Sequence, residues 1–310
     1  MTEPVKISIA LCTYNGEQFL RPQLDSIIAQ SFGHWEIVVV DDVSTDGTWD
    51  ILQEYAANDD RFRLFRNEKN LGYNRNFQKA LGLCEGEYIA ICDQDDIWHP
   101  DKLRLQLAGI GSNFLIYHDS EFIDEAGSPM GLKISDKFNF YRGSSPEAFL
   151  YLNCVSGHTI LMKKEVVTRA LPFPGGFHYD QWLAFAAASA GSVDFVDKVL
   201  VGYRQHDRNT TDILARRKRE RSLEVKLAEF EKETVWIAQC AEKASGNTRA
   251  LLVRLANLSE TRKHSFAVPQ YGFIIWQHRK TLLSLLKKSG ISKFFYVVRK
   301  IWGSKAKKLL

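Results

Sequence analysis

The sequence predicts an α/β fold built on a mostly parallel sheet with helices on its faces. Three apolar runs, over residues 6–12, 35–40 and 88–92, carry this prediction. Each is short, and none shows regular polar alternation, which is typical of strands buried on both faces. Helical patterns fill the stretches between them, over residues 18–30, 48–58 and 73–84. Strands that alternate with helices form parallel sheets.

Polar residues follow each run at the point where the strand is predicted to end. The breaks lie at residues 13–16, 41–42 and 93–96. In sheets of this kind, ligands bind at the carboxyl ends of the strands. The side chains expected to converge there are Asn15, Asp41, Asp42, Asp93 and Asp95.

The third break contains three carboxylates within four residues, Asp93, Asp95 and Asp96. Like charges that close do not all stay ionised without a neutralising partner. A hard divalent cation that carries a diphosphate is the usual partner. Oxygen ligands suit Mg²⁺ or Mn²⁺, and the sequence does not choose between them. For Asp96, as for Asp46 and Asp101, we expect a structural role in a turn or helix cap.

An ordered set of motifs carries a family resemblance. The set is Thr13-Tyr14-Asn15, Val39-Val40-Asp41-Asp42, Ser44-Thr45-Asp46-Gly47-Thr48, Asn70-Leu71-Gly72, and Asp93-Gln94-Asp95-Asp96 with Trp98 and Pro100. In this order it resembles family 2 glycosyltransferases of the GT-A fold. The form of residues 92–98 is most similar to bacterial rhamnosyltransferases that build surface polysaccharides. The strong resemblance covers residues 5–105, and a weaker one extends to about residue 210.

The resemblance implies a metal-dependent, inverting transfer of a sugar from a nucleotide, with Asp180 as general base. The implied metal ligands are Asp93, Asp95 and His206, with Mg²⁺ or Mn²⁺ as the cofactor. The implied ligands of the sugar nucleotide are Thr13, Tyr14, Asn15, Glu17, Asp41, Asp42, Lys69, Asn74, Arg75, Asp93, Gln94 and Arg204. An Asp at the base edge accepts the N3–H that uracil and thymine share, so UDP and dTDP both stay open.

The most specific expectation is transfer of L-rhamnose from dTDP-β-L-rhamnose to a polyprenyl-linked surface glycan. One alternative is another hexose from a UDP- or dTDP-sugar, and a second is a non-catalytic scaffold that binds a sugar nucleotide. Receiver domains and phosphohydrolases share single motifs with the chain. A receiver, however, places its acidic pair after the first strand, and the phosphohydrolase pattern has Thr or Val where Ile97 stands.

The middle of the chain is expected to complete the active site. A strand is predicted at 160–162, and a loop at 172–176 leads to a helix from Asp180 to residue 190. Asp180 would otherwise serve as a helix N-cap. A strand at 192–203 leads to His206, which would otherwise be structural or exposed. Arg204 and Arg208 are alternative ligands of the diphosphate.

The charge of +4 is divided unevenly along the 310 residues. Residues 1–210 contain 19 Lys and Arg against 29 Asp and Glu, whereas residues 211–310 contain 22 against 8. We therefore predict a nucleotide-binding half over 1–105, an acceptor-binding half over 106–210, and a basic helical region over 211–310.

The basic region opens with an Arg/Lys run at 216–219 and ends in aromatic residues interleaved with cations. This pattern is typical of contact with an anionic membrane surface. The alternative is a helical bundle that packs on the rest of the chain or in a homodimer. No nucleic-acid reading motif accompanies the cations, so no nucleic-acid partner is expected.

The expected location is the cytoplasmic face of the cell membrane. The five cysteines are odd in number and show no Cys-x-x-Cys spacing, which favours a reducing compartment. No secretory signal is visible at the N-terminus. No run approaches the roughly 20 apolar residues of a spanning helix.

Overall fold

The computed structural model describes residues 7–209, 211, 213–214 and 222–307. The chain forms two compact units. The first comprises Met1–Ser144 with Cys154–His206, and the second comprises Ser145–Asn153 with Asp207–Leu310. The segment 145–153 thus groups with the C-terminal region. The division into residues 1–105, 106–210 and 211–310 stays a prediction. The basic run at 216–219 lies outside the described residues.

The first half of the sheet is parallel, as predicted. Its strands are β1 (Ile7–Thr13), β2 (Trp35–Asp41), β3 (Phe62–Arg66) and β4 (Tyr88–Cys92). Helices α1 (Glu17–Ile28), α2 (Thr48–Asn58) and α3 (Tyr73–Leu83) connect them. Strand β1 lies between β2 and β4, and β3 pairs with β2. Every residue of β2 is buried, which accounts for its nearly uninterrupted apolar sequence.

The second half of the sheet is mixed. Its strands are β5 (Ile97–Trp98), β6 (Leu115–Ile123), β7 (Pro129–Lys133), β8 (Leu161–Lys163) and β9 (Val193–Arg204). Helices α4 (Lys102–Ile110), α5 (Lys164–Ala170) and α6 (Tyr179–Ala190) flank them. The strand order is β3-β2-β1-β4-β8-β6-β9-β5, with β7 paired to β6. Strand direction changes at β8, which is antiparallel to both β4 and β6.

The register of the parallel strands brings the predicted polar residues to one edge. Thr13 pairs with Asp41, and Leu11 pairs with Cys92. The residues that directly follow β1, β2 and β4 therefore lie side by side. This arrangement confirms the expected edge at the carboxyl ends of the strands.

The second unit is helical. Its longer helices are α7 (Leu223–Lys243), α8 (Gly246–Arg262), α9 (Pro269–Gln277) and α11 (Gly290–Ile301). Its described residues also include two short helices, α10 (Arg279–Leu282) and α12 (Ser304–Lys307). Among the described residues, none of the helices has the length and apolar character needed to cross a bilayer.

An ion network that is largely buried holds these helices together, with the side chains of Glu233 and Lys300 20% and 19% exposed. Glu233 on α7 pairs with Arg262 on α8 at 3.2 Å and with Lys300 on α11. The Arg262 guanidinium lies between the rings of Phe230 and Tyr271, 4.5 and 4.3 Å from their centroids. Burial opposes ionisation of Glu233, but the two cations hold its pKa below the usual range. Glu233 thus pairs with both cations, one from α8 and one from α11.

We expect Glu233→Gln to lower the free energy of unfolding by about 3 kcal/mol, because it leaves two buried cations without their counter-charge. Urea unfolding of the full chain, followed by circular dichroism, measures this loss. The matched control is Glu231→Gln on the same helix, whose partner is Lys263 and whose side chain is 54% exposed. An exposed pair contributes less than about 1 kcal/mol. Equal losses in the two variants would contradict the role given to the buried network.

Candidate active site

A cluster of two carboxylates and one imidazole lies just beyond the end of β4. Nδ1 of His158 is 3.6 Å from Oδ2 of Asp93 and 3.7 Å from Oδ2 of Asp96. Nε2 of the same ring is 2.7 Å from the hydroxyl of Ser120, which fixes its orientation. One potential ligand atom from each of Asp93, Asp96 and His158 lies within 4.8 Å of the others.

Asp96 is the most constrained member of this cluster. It is fully buried, and burial together with the charges of Asp95 and Asp93 raises its pKa well above the usual range. Its Oδ1 accepts a hydrogen bond from the amide of Arg204 at 3.0 Å. Its Oδ2 has no hydrogen-bond partner in the described part of the chain. A buried carboxylate oxygen among like charges is suited to a cation. The residues present therefore fit a divalent metal ion.

The third carboxylate of the motif pairs with a different histidine. Nε2 of His206 lies 2.8 Å from Oδ2 of Asp95, and its ring stacks on Phe19 with centroids 5.0 Å apart. Asp95 and His206 are thus adjacent, as joint binding of a metal ion would require. Asp93 instead faces Asp96 and His158. The ligand set of Asp93, Asp95 and His206 stays a prediction.

Sequence reasoning missed His158 and gave Asp96 only a structural role. His158 follows Gly157 and precedes β8, so it reaches the cluster only through pairing of β8 with β4. No local spacing links it to the acidic motif. The one available signal was the position of His158 just before the strand predicted at 160–162.

Arg204 supports the loop that carries the carboxylates. Its Nε donates to the carbonyl of Asp95 at 2.8 Å, and Nη1 donates to the carbonyls of Asp124 and Glu125 at 3.1 and 2.7 Å. Its guanidinium also lies 4.9 Å from the centre of the Phe19 ring. The residue is buried, with these atoms directed at backbone oxygens. Its predicted contact with a diphosphate remains untested.

Gln94 joins the ends of β4 and β1. Its amide accepts from the backbone N–H of Tyr14 at 2.9 Å and donates to the carbonyl of Tyr14 at 3.1 Å. A side chain at Gly16 would collide with this amide. The Tyr14 ring itself is 50% exposed. Gln94 thus acts as a brace in this structure, and the ring beside it is available to a ligand.

Asn15 adopts a positive φ of 48° and braces the loop after β2. Its side-chain oxygen accepts a hydrogen bond from the backbone N–H of Thr45 at 2.8 Å. Its backbone N–H donates to the hydroxyl of Ser44 at 2.9 Å. Asn is one of the residues that tolerates this backbone region. The contacts hold the β1 and β2 ends in fixed register.

Glu17 and Asp46 cap each other's helices. Glu17 accepts from the amide of Gly47 at 2.9 Å, before α2, while Asp46 accepts from the amide of Glu17 at 3.2 Å, at the start of α1. Each carboxylate satisfies an N–H that the other helix leaves unpaired. The structural role expected for Asp46 is confirmed, and Glu17 shares it.

Asp41 is fully buried and makes four contacts within the protein. Its carboxylate accepts from the hydroxyl of Thr13 at 3.0 Å, from the amide and hydroxyl of Ser44, and from Arg66 at 3.2 Å. Two ionised oxygens offer about four acceptor positions. All of these positions are taken.

Asp42 makes three such contacts. Its carboxylate accepts from the side chain of Asn67 at 2.7 Å and from the amides of Leu71 and Gly72 at 2.8 and 2.9 Å. Gly72 has a φ of 77°, which its lack of a side chain permits. Asp42 therefore shapes the loop before α3 and keeps one acceptor position.

Asn74 links this loop to the start of α6. Its Nδ2 donates to the carbonyl of Phe177 at 2.6 Å, and its Oδ1 accepts from the amide of Tyr179 at 3.2 Å. Lys69 and Arg75, the two predicted cationic ligands nearby, are exposed. Asn74 thus helps to position the residue after Tyr179, which is Asp180.

Asp180 lies in the first turn of α6, two residues beyond the N-cap His178. Burial raises the pKa of Asp180 to about 7, and the charge of Asp93 adds to the shift, while the amides of Gln181 and Gly157 oppose it. The amide of Gln181 donates to its Oδ1 at 2.6 Å. Gly157 has no side chain where the hydroxyl of Tyr179 approaches its backbone. A carboxylate with this pKa suits proton transfer near neutral pH.

Solved structures show the fold of the protein. The chain matches S. aureus TarS, crystallised with UDP-GlcNAc, with a TM-score of 0.58 and 21% identity, over 87% of this chain and 79% of that one. It also matches the mannosyltransferase PcManGT of Pyrobaculum calidifontis, in complex with GDP-Man and Mn²⁺, with a TM-score of 0.55 and 15% identity, over 91% and 81% of the two chains. The predicted GT-A fold is confirmed, with a helical extension at the C-terminus.

Two curated relatives share more of the sequence. TuaG of Bacillus subtilis, named as a teichuronic acid biosynthesis glycosyltransferase, is 42% identical over 101 residues, which cover 33% of this chain and 40% of that protein. An uncharacterised glycosyltransferase of Methanocaldococcus jannaschii is 28% identical over 218 residues, which cover 67% and 73% of the two chains. The match to TuaG thus spans less than half of that protein's length.

The family model named glycosyl transferase family 2 matches residues 8–168, about half of the 310 residues. This match contains strands β1 to β8, the acidic motif and His158. Because the motifs, the fold and this match agree, the protein belongs to glycosyl transferase family 2.

Proposed function

We propose that the protein is an inverting, metal-dependent glycosyltransferase that moves a sugar from a nucleoside diphosphate to a glycan acceptor. The observation that carries this proposal is the cluster beyond the end of β4, in which one ligand atom each of Asp93, Asp96 and His158 lies within 4.8 Å of the others. Burial and the charge of Asp93 raise the pKa of Asp180 to about 7, which supports its assignment as the base. The names of the relatives TuaG and EpsE, a second Bacillus subtilis glycosyltransferase 38% identical over 109 residues, support a role in polysaccharide assembly.

In the proposed reaction, Asp180 accepts the proton of the acceptor hydroxyl while that oxygen attacks the anomeric carbon. The bond from this carbon to the diphosphate breaks on the opposite face, so the configuration inverts. Asp180 starts as a carboxylate and ends as the neutral acid. The amides of Gln181 and Gly157 favour the carboxylate before the reaction.

Two groups of residues are suited to hold the metal ion. Asp93, Asp96 and His158 form the cluster described above, and Asp95 pairs with His206. When bound, Mg²⁺ or Mn²⁺ supplies positive charge to offset the charge that develops on the leaving diphosphate. Both groups contain carboxylates of the acidic motif that follows β4.

The nucleotide is proposed to bind at the ends of β1 and β2. The half-exposed ring of Tyr14 offers a stacking surface for the base. Asp42 retains an acceptor position, whereas Asp41 has none left, which favours Asp42 as the acceptor of the pyrimidine N3–H. This preference suits UDP or dTDP.

The most specific form of the proposal is L-rhamnose from dTDP-β-L-rhamnose, moved to a polyprenyl-linked surface glycan. The form of residues 92–98 supports it. Another hexose from a UDP-sugar is the alternative, which the UDP-GlcNAc complex of TarS supports. A lipid-linked acceptor accords with the proposed peripheral association of the basic C-terminal region with the cytoplasmic membrane face.

We expect Asp180→Asn to lower kcat by about 10²- to 10⁴-fold, the usual contribution of a general base. Binding of the nucleotide sugar should persist, because the amide keeps the volume of the carboxylate. Single-turnover transfer and isothermal titration measure the two effects. The matched control is Asp50→Asn, an exposed acid in the first turn of α2. Full turnover of Asp180→Asn would instead favour a non-catalytic role for this carboxylate.

The rate should also depend on pH through Asp180. The base works only when deprotonated, so kcat should rise with pH and level off above its pKa. Because that pKa is about 7 and a cation at Asp93 would lower it, the midpoint should fall at or below about pH 7. Initial rates of the wild type and of Asp180→Asn across pH 5 to 9 test this. A rate that falls as pH rises through this range would oppose the assignment.

Thermal-shift measurements should identify the donor and the metal together. A ligand that binds only the folded state raises the melting temperature. We expect the largest rise from dTDP-β-L-rhamnose with Mn²⁺, compared with UDP-GlcNAc, GDP-mannose and each nucleotide without Mn²⁺. Asp95→Ala should remove the part that depends on Mn²⁺ and abolish transfer.

The control for the metal is Asp101→Asn, which changes an acid between β5 and α4 that pairs with Arg104. His158→Gln and His206→Gln then show which histidine holds the ion. Transfer that survives both Asp95→Ala and EDTA would exclude the metal role. A larger shift with GDP-mannose would exclude a pyrimidine nucleotide.

A further inference from the structure

Helix α11 uses one face to pack in the second unit. Val297 is buried, Ile301 contacts α9 at Gly272, and Lys300 pairs with Glu233 on α7. Gly272 has no side chain, and a side chain there would meet Ile301. These contacts fix which way the helix faces.

Three further apolar side chains of α11 are exposed. Ile291, Phe294 and Phe295 are 73%, 48% and 58% exposed. Their spacing of three and four residues places them on one stripe of the helix. Each of these side chains keeps 48% or more of its surface exposed, so packing of α11 within the second unit covers only part of this stripe.

Helix α9 extends the stripe. The ring of Trp276 meets the ring of Phe294 edge to face, with centroids 5.6 Å apart. Phe273, one turn earlier on α9, is 60% exposed. We call the five residues Phe273, Trp276, Ile291, Phe294 and Phe295 the aromatic face.

The charged residues near the aromatic face along the chain are all Lys or Arg. Residues 261–310 contain 12 Lys and Arg and no Asp or Glu. Lys280, Lys287, Lys288 and Arg299 are exposed next to it along the chain. Such a combination of exposed rings and cations matches an anionic bilayer, where the rings enter the headgroup region and the cations meet phosphates.

We propose that the aromatic face docks on an anionic lipid bilayer, with α11 lying in the plane of the interface and Phe294 and Phe295 inserted among the lipids. This inference rests on the proposed membrane association and assigns its contact residues. A second copy of the chain fits less well. A two-fold interface through this face would bring identical cationic rims together, with no acidic residue of this segment to offset them.

The test is sedimentation of the full chain with vesicles of phosphatidylglycerol and phosphatidylcholine, and with phosphatidylcholine alone. The wild type should bind the anionic vesicles preferentially. The double variant F294S/F295S should weaken this binding at least about tenfold, because two apolar rings no longer enter the lipid. Phe295→Ser alone, at the more exposed of the two rings, should give an intermediate loss.

Two comparisons isolate the face from other causes. The matched control is V235S/V253S, which removes two apolar side chains that are 40% and 41% exposed on α7 and α8; it should bind like the wild type. The variant K287E/K288E should remove the preference for anionic lipid. The melting temperature of each variant should change no more than that of V235S/V253S, which shows that weaker binding does not come from unfolding.

Three results would overturn the inference. If the wild type and F294S/F295S sediment equally with anionic vesicles, the membrane association holds but this face does not make it. If the wild type binds no vesicles, the association itself fails. If F294S/F295S converts a dimer to a monomer in sedimentation velocity and lipid binding is absent, a second copy occupies the face. Transfer to a soluble acceptor should be unchanged in F294S/F295S, which separates these failures from failure of the proposed reaction.

Discussion

Repulsion among Asp93, Asp95 and Asp96 is the constraint on which the edge of the sheet depends. Each of the three has a different partner: His158 for Asp93, His206 for Asp95, and the Arg204 amide for Asp96. The partners come from the segment before β8 and from the end of β9. The mixed half of the sheet therefore supplies the groups that the parallel half needs. The effect extends to Asp180, whose pKa is raised first by burial and further by the charge of Asp93.

Several residues that the family resemblance marks as ligands also hold the protein together. Glu17 caps α2, Asp42 shapes the loop before α3, and Asn74 joins that loop to α6. Such contacts fix loops before a substrate arrives, which lowers the cost of ordering them on binding. Binding and bracing are compatible where a side chain keeps an unused acceptor position, as Asp42 does.

The parallel half of the fold was accessible from the sequence because its signals are local. The run over β2 is nearly uninterrupted, and α2 begins and ends at the predicted residues. The direction of β8 was not accessible, since three residues carry no periodic signal and their pairing depends on distant strands. The grouping of 145–153 with the C-terminal helices depends on tertiary contacts in the same way.

The site was accessible only in part, for a related reason. Asp93, Asp95 and Asp180 follow motifs that can be recognised one at a time. The buried environment of Asp96 could not be predicted from the sequence. Its local pattern is that of a turn residue, and its hydrogen-bond donor, the amide of Arg204, lies far along the chain. His158 likewise gains its neighbours only when the sheet has formed.

The contact between Gly16 and Gln94 has a consequence for how this sequence can change. The amide of Gln94 occupies the space that a side chain at position 16 would need, and it also holds both polar backbone groups of Tyr14. Residues 16 and 94 therefore cannot be substituted independently of each other. A homologue that gains a side chain at position 16 must shorten the one at position 94 and find another way to hold the backbone of Tyr14, so substitutions at these sites should appear as matched pairs.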